Sequence, residues 1–226
     1  MKELLIRYLP NVFELQDYFL QSIKETAIMV LITGAIGLSL GVITGIILVV
    51  TDKGGLYENS TVHSLLGRVI NVVRSIPFVI LIALMVTFTR FLVGTAIGVK
   101  GAIVPMVVGV IPLASRLTEQ ALLETDPGVL EAGRSMGISR GYLIRHVMIP
   151  EALPGLIRAV VTCFISLIGL TAMAGSVGGG GIGSFAIRYG YNRYMEDVTI
   201  VCVLFLLILV SIIQSLGNRA ADRLTH

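Results

Sequence analysis

From Thr26 to Thr51 the chain carries no charged residue. That run is longer than the roughly 20 apolar residues a helix needs to cross a bilayer. Hydrophobic residues make up 55% of the 226, charged residues only 14%, and mean hydropathy is +0.90. A single soluble core of this size could not hide so much apolar surface, so the chain is read as an integral membrane protein, all-α, with the first run as its first span. Within that run Gly37, Gly41 and Gly45 recur every fourth residue, a small-residue face for close helix packing.

Further spans are placed by the same logic. Ser75 to Thr89 is uncharged but short, so a second span is placed at about 70–89, with Arg74 snorkelling to the interface. The third lies at 101–115 and contains Pro105 and Pro112, the fourth at about 155–175, the fifth at 198–218. Residues 1–25 mix Leu9, Val12, Phe13, Phe19 and Ile23 with charges around Pro10, which suits helices at the membrane interface. Their charges also exclude a cleavable signal peptide there. Asp52 to Arg74 is a polar loop with a short helix around Val62–Val73, and 219–226 is a tail in water.

Between spans three and four, residues 116–152 form the largest polar insert. Asp126 can cap a helix whose first position is Pro127, where a missing N–H costs nothing. Val129, Leu130, Gly133 and Met136 share one face, and Glu131 and Arg134 are spaced to pair. Gly137 stands where a left-handed residue ends a helix, and Ser139 can cap a second. Tyr142, Leu143 and Val147 give that second helix its apolar face, and Pro150 interrupts its continuation. Two short amphipathic helices around a glycine turn make a knob for docking into another protein.

Several function classes drop out. The net charge of +3 comes from 17 basic residues scattered between apolar runs, which is no nucleic-acid surface. Cys163 and Cys202 sit inside apolar runs, and His63, His146 and His226 lie far apart, so no metal set or disulfide is expected. No catalytic constellation is expected either: Glu196 and Asp197 come after Arg193 at a membrane edge. Gly178, Gly180 and Gly183 satisfy G-x-G-x-x-G, but no βαβ unit surrounds them. Ser184 stands where a P-loop needs Lys, so no ATP or other cofactor is expected to bind this chain. The glycine segment is read instead as a close-packed, bent end to the fourth span.

The segment Glu131–Pro150, with Ala132, Gly133, Gly137, Val147 and Ile149, closely resembles the cytoplasmic coupling loop of ABC importer permeases. Gly133, Val147 and Ile149 are small departures from the family's Ala, Ile and Leu. The likeness runs from about Thr26 to Asp222. Asn71–Phe78, Gly94–Gly98, Ala102–Pro105, Glu119–Glu124, Leu153–Leu156, Ala172–Gly178 and Tyr189–Tyr191 look like the methionine-importer branch.

That resemblance implies a type I permease fold of five transmembrane helices over 26–218, in a bacterial plasma membrane. It implies a second copy of the chain, two cytoplasmic ABC ATPase subunits that bind the ATP, and an extracytoplasmic methionine-binding protein. Met173 and Ser176 become residues of the pathway or gate only through it, since Met mid-helix is ordinarily packing. The coupling loop would be cytoplasmic, which with five spans puts the N-terminus outside and the C-terminus inside. The positive-inside rule agrees in direction, with ten basic residues inside against seven outside. A permease for another small amino acid is the rival within this class. An ATP-independent secondary transporter is the rival outside it, and a non-transport scaffold a third. Secondary carriers carry internal repeats and intramembrane ionisable residues, and these spans have neither.

Overall fold

The computed structural model describes residues 9–224. The earliest part of the expected interfacial segment and the last two residues of the tail fall outside that range. Every regular element among the described residues is helical. They run α1 Pro10–Glu14, α2 Gln16–Thr51, α3 Ser60–Ser75, α4 Phe78–Val93, α5 Gly98–Leu123 and α6 Pro127–Ser135. Then come α7, which starts as Arg140–Leu143 and continues through a π-helical turn to Glu151, α8 Leu153–Ser176, and α9 from Gly181 to a π-helical end at Tyr191. The last is α10 Glu196–Asp222. Four runs are long and apolar enough to cross a membrane (α2, α5, α8 with α9, and α10), and the broken pair α3–α4 makes a fifth.

The expected boundaries shift in four places. Helix α2 begins at Gln16, so the interfacial stretch before the first uncharged run is largely the same helix as that run. The single span expected at 70–89 is instead two helices broken at Ile76–Pro77, because proline biases the residue before it away from helical backbone. Its apolar part is α4. Helix α5 outruns the expected 101–115 at both ends, so the polar insert starts after Leu123 and not at Arg116. Within α5, Arg116 donates to Glu119 at 2.7 Å and to the Asn71 side chain at 2.8 Å, so its charge is paired without ending the helix. Helix α10 reaches Asp222, whose carboxylate lies 3.9 Å from Arg158.

The chain divides into two compact units. One contains the chain up to Ala35, Ile76–Val107 and Phe164–Ile213. Its apolar centre is Ile182, Phe185, Tyr189, Val198 and Cys202, against which Phe19, Ile23 and Phe205 pack. Asn11 seats the start of α1 on α10, its backbone N–H and side-chain amide both donating to Asp197 at about 3 Å. The other unit contains Ile36–Ser75, Val108–Cys163 and the chain from Gln214. In it Gly41 and Gly45 face Ala114, Ser115 and Thr118 of α5, with Thr44 hydrogen-bonded to Ser115. Gly41 and Gly45 of the four-residue spacing therefore lie on a packing face.

Candidate functional site

Helices α6 and α7 form the expected two-helix knob within the second unit. Asp126 caps α6 by accepting from the Gly128 N–H at 2.8 Å, and Pro127 occupies the first turn. The helix ends in a Schellman motif: the Ile138 N–H reaches the Gly133 carbonyl at 3.1 Å, and the Gly137 N–H the Arg134 carbonyl at 3.0 Å. Gly137 has φ +76°, the left-handed conformation that the turn requires. Its position is open, so only backbone strain opposes a side chain there. Gly137→Val is expected to destabilise the α6–α7 turn by about 1–2 kcal/mol. Faster backbone hydrogen exchange across 127–151 with unchanged exchange in α8 would show it; equal exchange in both proteins would refute the strain.

Three local expectations fail. Ser139 makes no side-chain cap to α7. Pro150 does not stop the helix: the π-helical turn Ile144–Met148 widens the ladder just before it, and the chain stays helical to Glu151. Arg134 bonds the Gly54 carbonyl at 3.1 Å and forms no ion pair with Glu131.

Two faces of the knob have opposite fates. Gly133 and Leu143 are buried against each other, so α6 and α7 meet where a side chain at 133 would intrude. Val50, Leu122, Met148 and Ala152 form a buried cluster with Leu130, Ile144, Ile149 and Leu156 around it. That cluster joins the knob to the ends of α2 and α5 and the start of α8. Glu131, Ala132, Met136, Tyr142 and Pro150 are exposed, and Tyr142 stacks on His146 with ring centroids 4.2 Å apart. Val147 and Ile149 are half-buried. The amphipathic pattern is right in kind. Met136 nonetheless stands 71% exposed, on the outward side rather than with Gly133.

Met173 and Ser176 lie in the first unit, at the end of α8. Met173 is 50% exposed, and the Ser176 hydroxyl donates to the Met173 carbonyl at 2.7 Å. The glycine segment after them is closely packed: an ideal Cβ on Gly183 would come 2.5 Å from Ala172 Cα, and one on Gly175 2.6 Å from the Gly183 carbonyl carbon. Helix α9 is held from α2, where Glu25 accepts the Gly181 N–H at 2.7 Å and the Thr26 hydroxyl accepts the Ile182 N–H at 2.9 Å. No spacing in the sequence announces that cap, whose partners are 156 residues apart.

Long apolar helices, a helix pair broken at proline and a polar two-helix knob define a multi-pass helical membrane protein. Residues 37–226 match the family of binding-protein-dependent transport system inner membrane components, and the chain belongs to that family. It is 45% identical over 210 residues to the probable D-methionine transport system permease protein MetI of Vibrio cholerae, covering 93% of each chain. Over 172 residues it is 46% identical to the methionine import system permease protein MetP of Bacillus subtilis, covering 76% of this chain and 78% of that one. Among solved structures it resembles a chain of the MetNI methionine ABC transporter in inward-facing conformations, with TM-score 0.92 and 39% identity. That match covers 94% of this chain and 99% of the other. The fold is that of a type I importer permease.

Proposed function

We propose that this chain is the membrane-spanning permease subunit of an ATP-driven methionine importer in a bacterial plasma membrane. Two copies form the pathway, and two cytoplasmic ATPase subunits couple to the knob, docking on its exposed Glu131, Ala132, Gly137 and Pro150, while buried Gly133 and half-buried Val147 and Ile149 hold the knob in shape. An extracytoplasmic methionine-binding protein delivers the substrate. The N-terminus lies outside and the C-terminus in the cytoplasm. ATP binds the partner, and this chain carries no catalytic group, metal or cofactor of its own. The reading rests chiefly on near-complete coverage, at 39% identity, of a solved methionine ABC transporter chain.

The mechanism that follows from this proposal runs through the knob. ATP closing the two ATPases draws the two α6–α7 knobs together. Each knob is packed through Met148 and Ala152 onto Val50 and Leu122, so its displacement moves the ends of α2 and α5 with it. The result is a two-state swing between inward- and outward-open pathways, biased by nucleotide. Exposed Met173, set among Ala172, Ala174 and Gly175, gives each copy a flexible apolar side chain that can seal against its twin and yield to an apolar amino acid.

Reconstitution tests the reading. The chain alone in liposomes should neither hydrolyse ATP nor accumulate methionine, and adding the ATPase and the binding protein should confer both. Gradient-driven uptake by the chain alone would favour a secondary carrier. In the complete system Met173→Ala should keep the complex assembled but leak substrate or lower the methionine imported per ATP. An unchanged ratio with no leak removes Met173 from the gate.

A further inference from the structure

The loop between α2 and α3, residues 52–59, touches both helices of the knob. Arg134 near the end of α6 donates to the Gly54 carbonyl at 3.1 Å. Arg140, the first residue of α7, holds its guanidinium 5.5 Å from the centroid of the Tyr57 ring. These arginines stand three residues before and three after Gly137, so the loop grips the knob on both sides of its turn. No sequence spacing links residues 54 and 57 to 134 and 140, and both contacts are cationic side chains on a carbonyl or a ring face.

The loop is itself a rigid extension of α2. The Tyr57 N–H donates to the Val50 carbonyl at 2.8 Å, and the Asn59 N–H to the Thr51 carbonyl at 2.9 Å. The Glu58 carboxylate accepts the Gly54 N–H at 3.0 Å, Leu56 is buried, and His63 Nδ1 lies 3.1 Å from the Leu48 carbonyl. A force on the knob therefore has two routes into α2. One is the apolar cluster at Val50; the other is the arginine pair acting through a hydrogen-bonded loop. Apolar contacts slide, whereas a directed hydrogen bond and a guanidinium on a ring resist rotation of the knob about its turn.

We propose that Tyr57, with Gly54, is a positioning element of coupling: a bracket that fixes the orientation of α6–α7 on the end of α2, so that movement of the docked partner becomes movement of the helix rather than rotation of the knob. This rests on the reading of α6–α7 as the ATPase-docking knob. Tyr57 acts through Arg140 and is a positioning residue.

The experiment uses the full complex in proteoliposomes and the isolated chain in detergent. In the complex, Tyr57→Ala should leave ATPase copurification and ATP hydrolysis near wild type while lowering methionine imported per ATP about two- to five-fold. Tyr57→Phe, which keeps the ring face, should restore the ratio, and Tyr57→Ala combined with Arg140→Ala should be no worse than Tyr57→Ala. In the isolated chain Tyr57→Ala should speed hydrogen exchange in 127–151 without changing exchange in α10. An unchanged import ratio in an assembled Tyr57→Ala complex overturns the bracket, as does Tyr57→Phe failing like Tyr57→Ala. A wild-type chain that binds no ATPase overturns the docking reading instead, and the exchange measurement then decides alone whether the loop holds the knob.

Discussion

Gly175→Ala is expected to lower the melting temperature by roughly 6–12 °C, the equivalent of about 3 kcal/mol at this chain length. The methyl group would enter the space of the Gly183 and Ser184 backbones, and Gly183 in turn approaches the Ala172 backbone. Backbone on both sides cannot rotate away as a side-chain tip would, so α8 and α9 must separate. That separation would open the cluster of Ile182, Phe185, Tyr189, Val198 and Cys202. Cys202 is 1% exposed, so a thiol-reactive fluorogenic dye reports the event once Cys163 has been replaced by serine. Gly169→Ala is the control, because six residues earlier on the same helix a Cβ meets nothing within 4 Å. That change should be neutral or slightly stabilising, since alanine is the better helix former. Equal melting of the two variants would show that the glycine approach is not what joins α8 to α9.

How much of this fold can be read in the sequence depends on the range of each interaction. The Asp126 cap, Pro127 and the Gly137 turn are decided by residues within a few positions, and each is found as expected. Glycines at 41 and 45 announce a packing face, but their partners Ala114, Ser115 and Thr118 carry no mark of the pairing. Failures occur where a tertiary partner outcompetes a local one. Arg134 turns from Glu131, one helical turn away, to the Gly54 carbonyl, 80 residues distant in sequence. At Pro150 the helix survives because a single wide turn ahead of it absorbs the missing donor, an adjustment no proline rule anticipates. Ile76–Pro77 is the reverse case: proline does break the helix, and hydropathy alone reads across the break. The knob is legible because its cap and turn are decided within 126–138, whereas the bond from Arg134 to Gly54 spans 80 residues and leaves no local mark.

Glu25→Ala is the second large effect expected, a loss of about 2 kcal/mol or roughly 4–8 °C. Glu25 belongs to α2, yet its carboxylate accepts the Gly181 N–H at 2.7 Å and supplies the cap that α9 lacks locally. The residue before α9 is Gly180, with no side chain to offer. Alanine would leave a buried backbone donor without its acceptor, close to the Thr26 hydroxyl that holds the next N–H. Glu25→Gln separates geometry from charge. Its amide oxygen can still accept from Gly181, and Gln21, which now donates to the other carboxylate oxygen at 2.9 Å, can turn its own amide to match. The glutamine variant should therefore lose only about half as much, since a neutral acceptor holds an N–H roughly half as strongly as an ionised one. Thr26→Val, which removes a neutral bond, should cost about 1 kcal/mol. The Cys202 dye assay ranks the three. Wild-type melting in Glu25→Ala would mean that α9 is held by its apolar face alone. Equal losses in the alanine and glutamine variants would mean that the charge, and not the hydrogen bond, secures the helix.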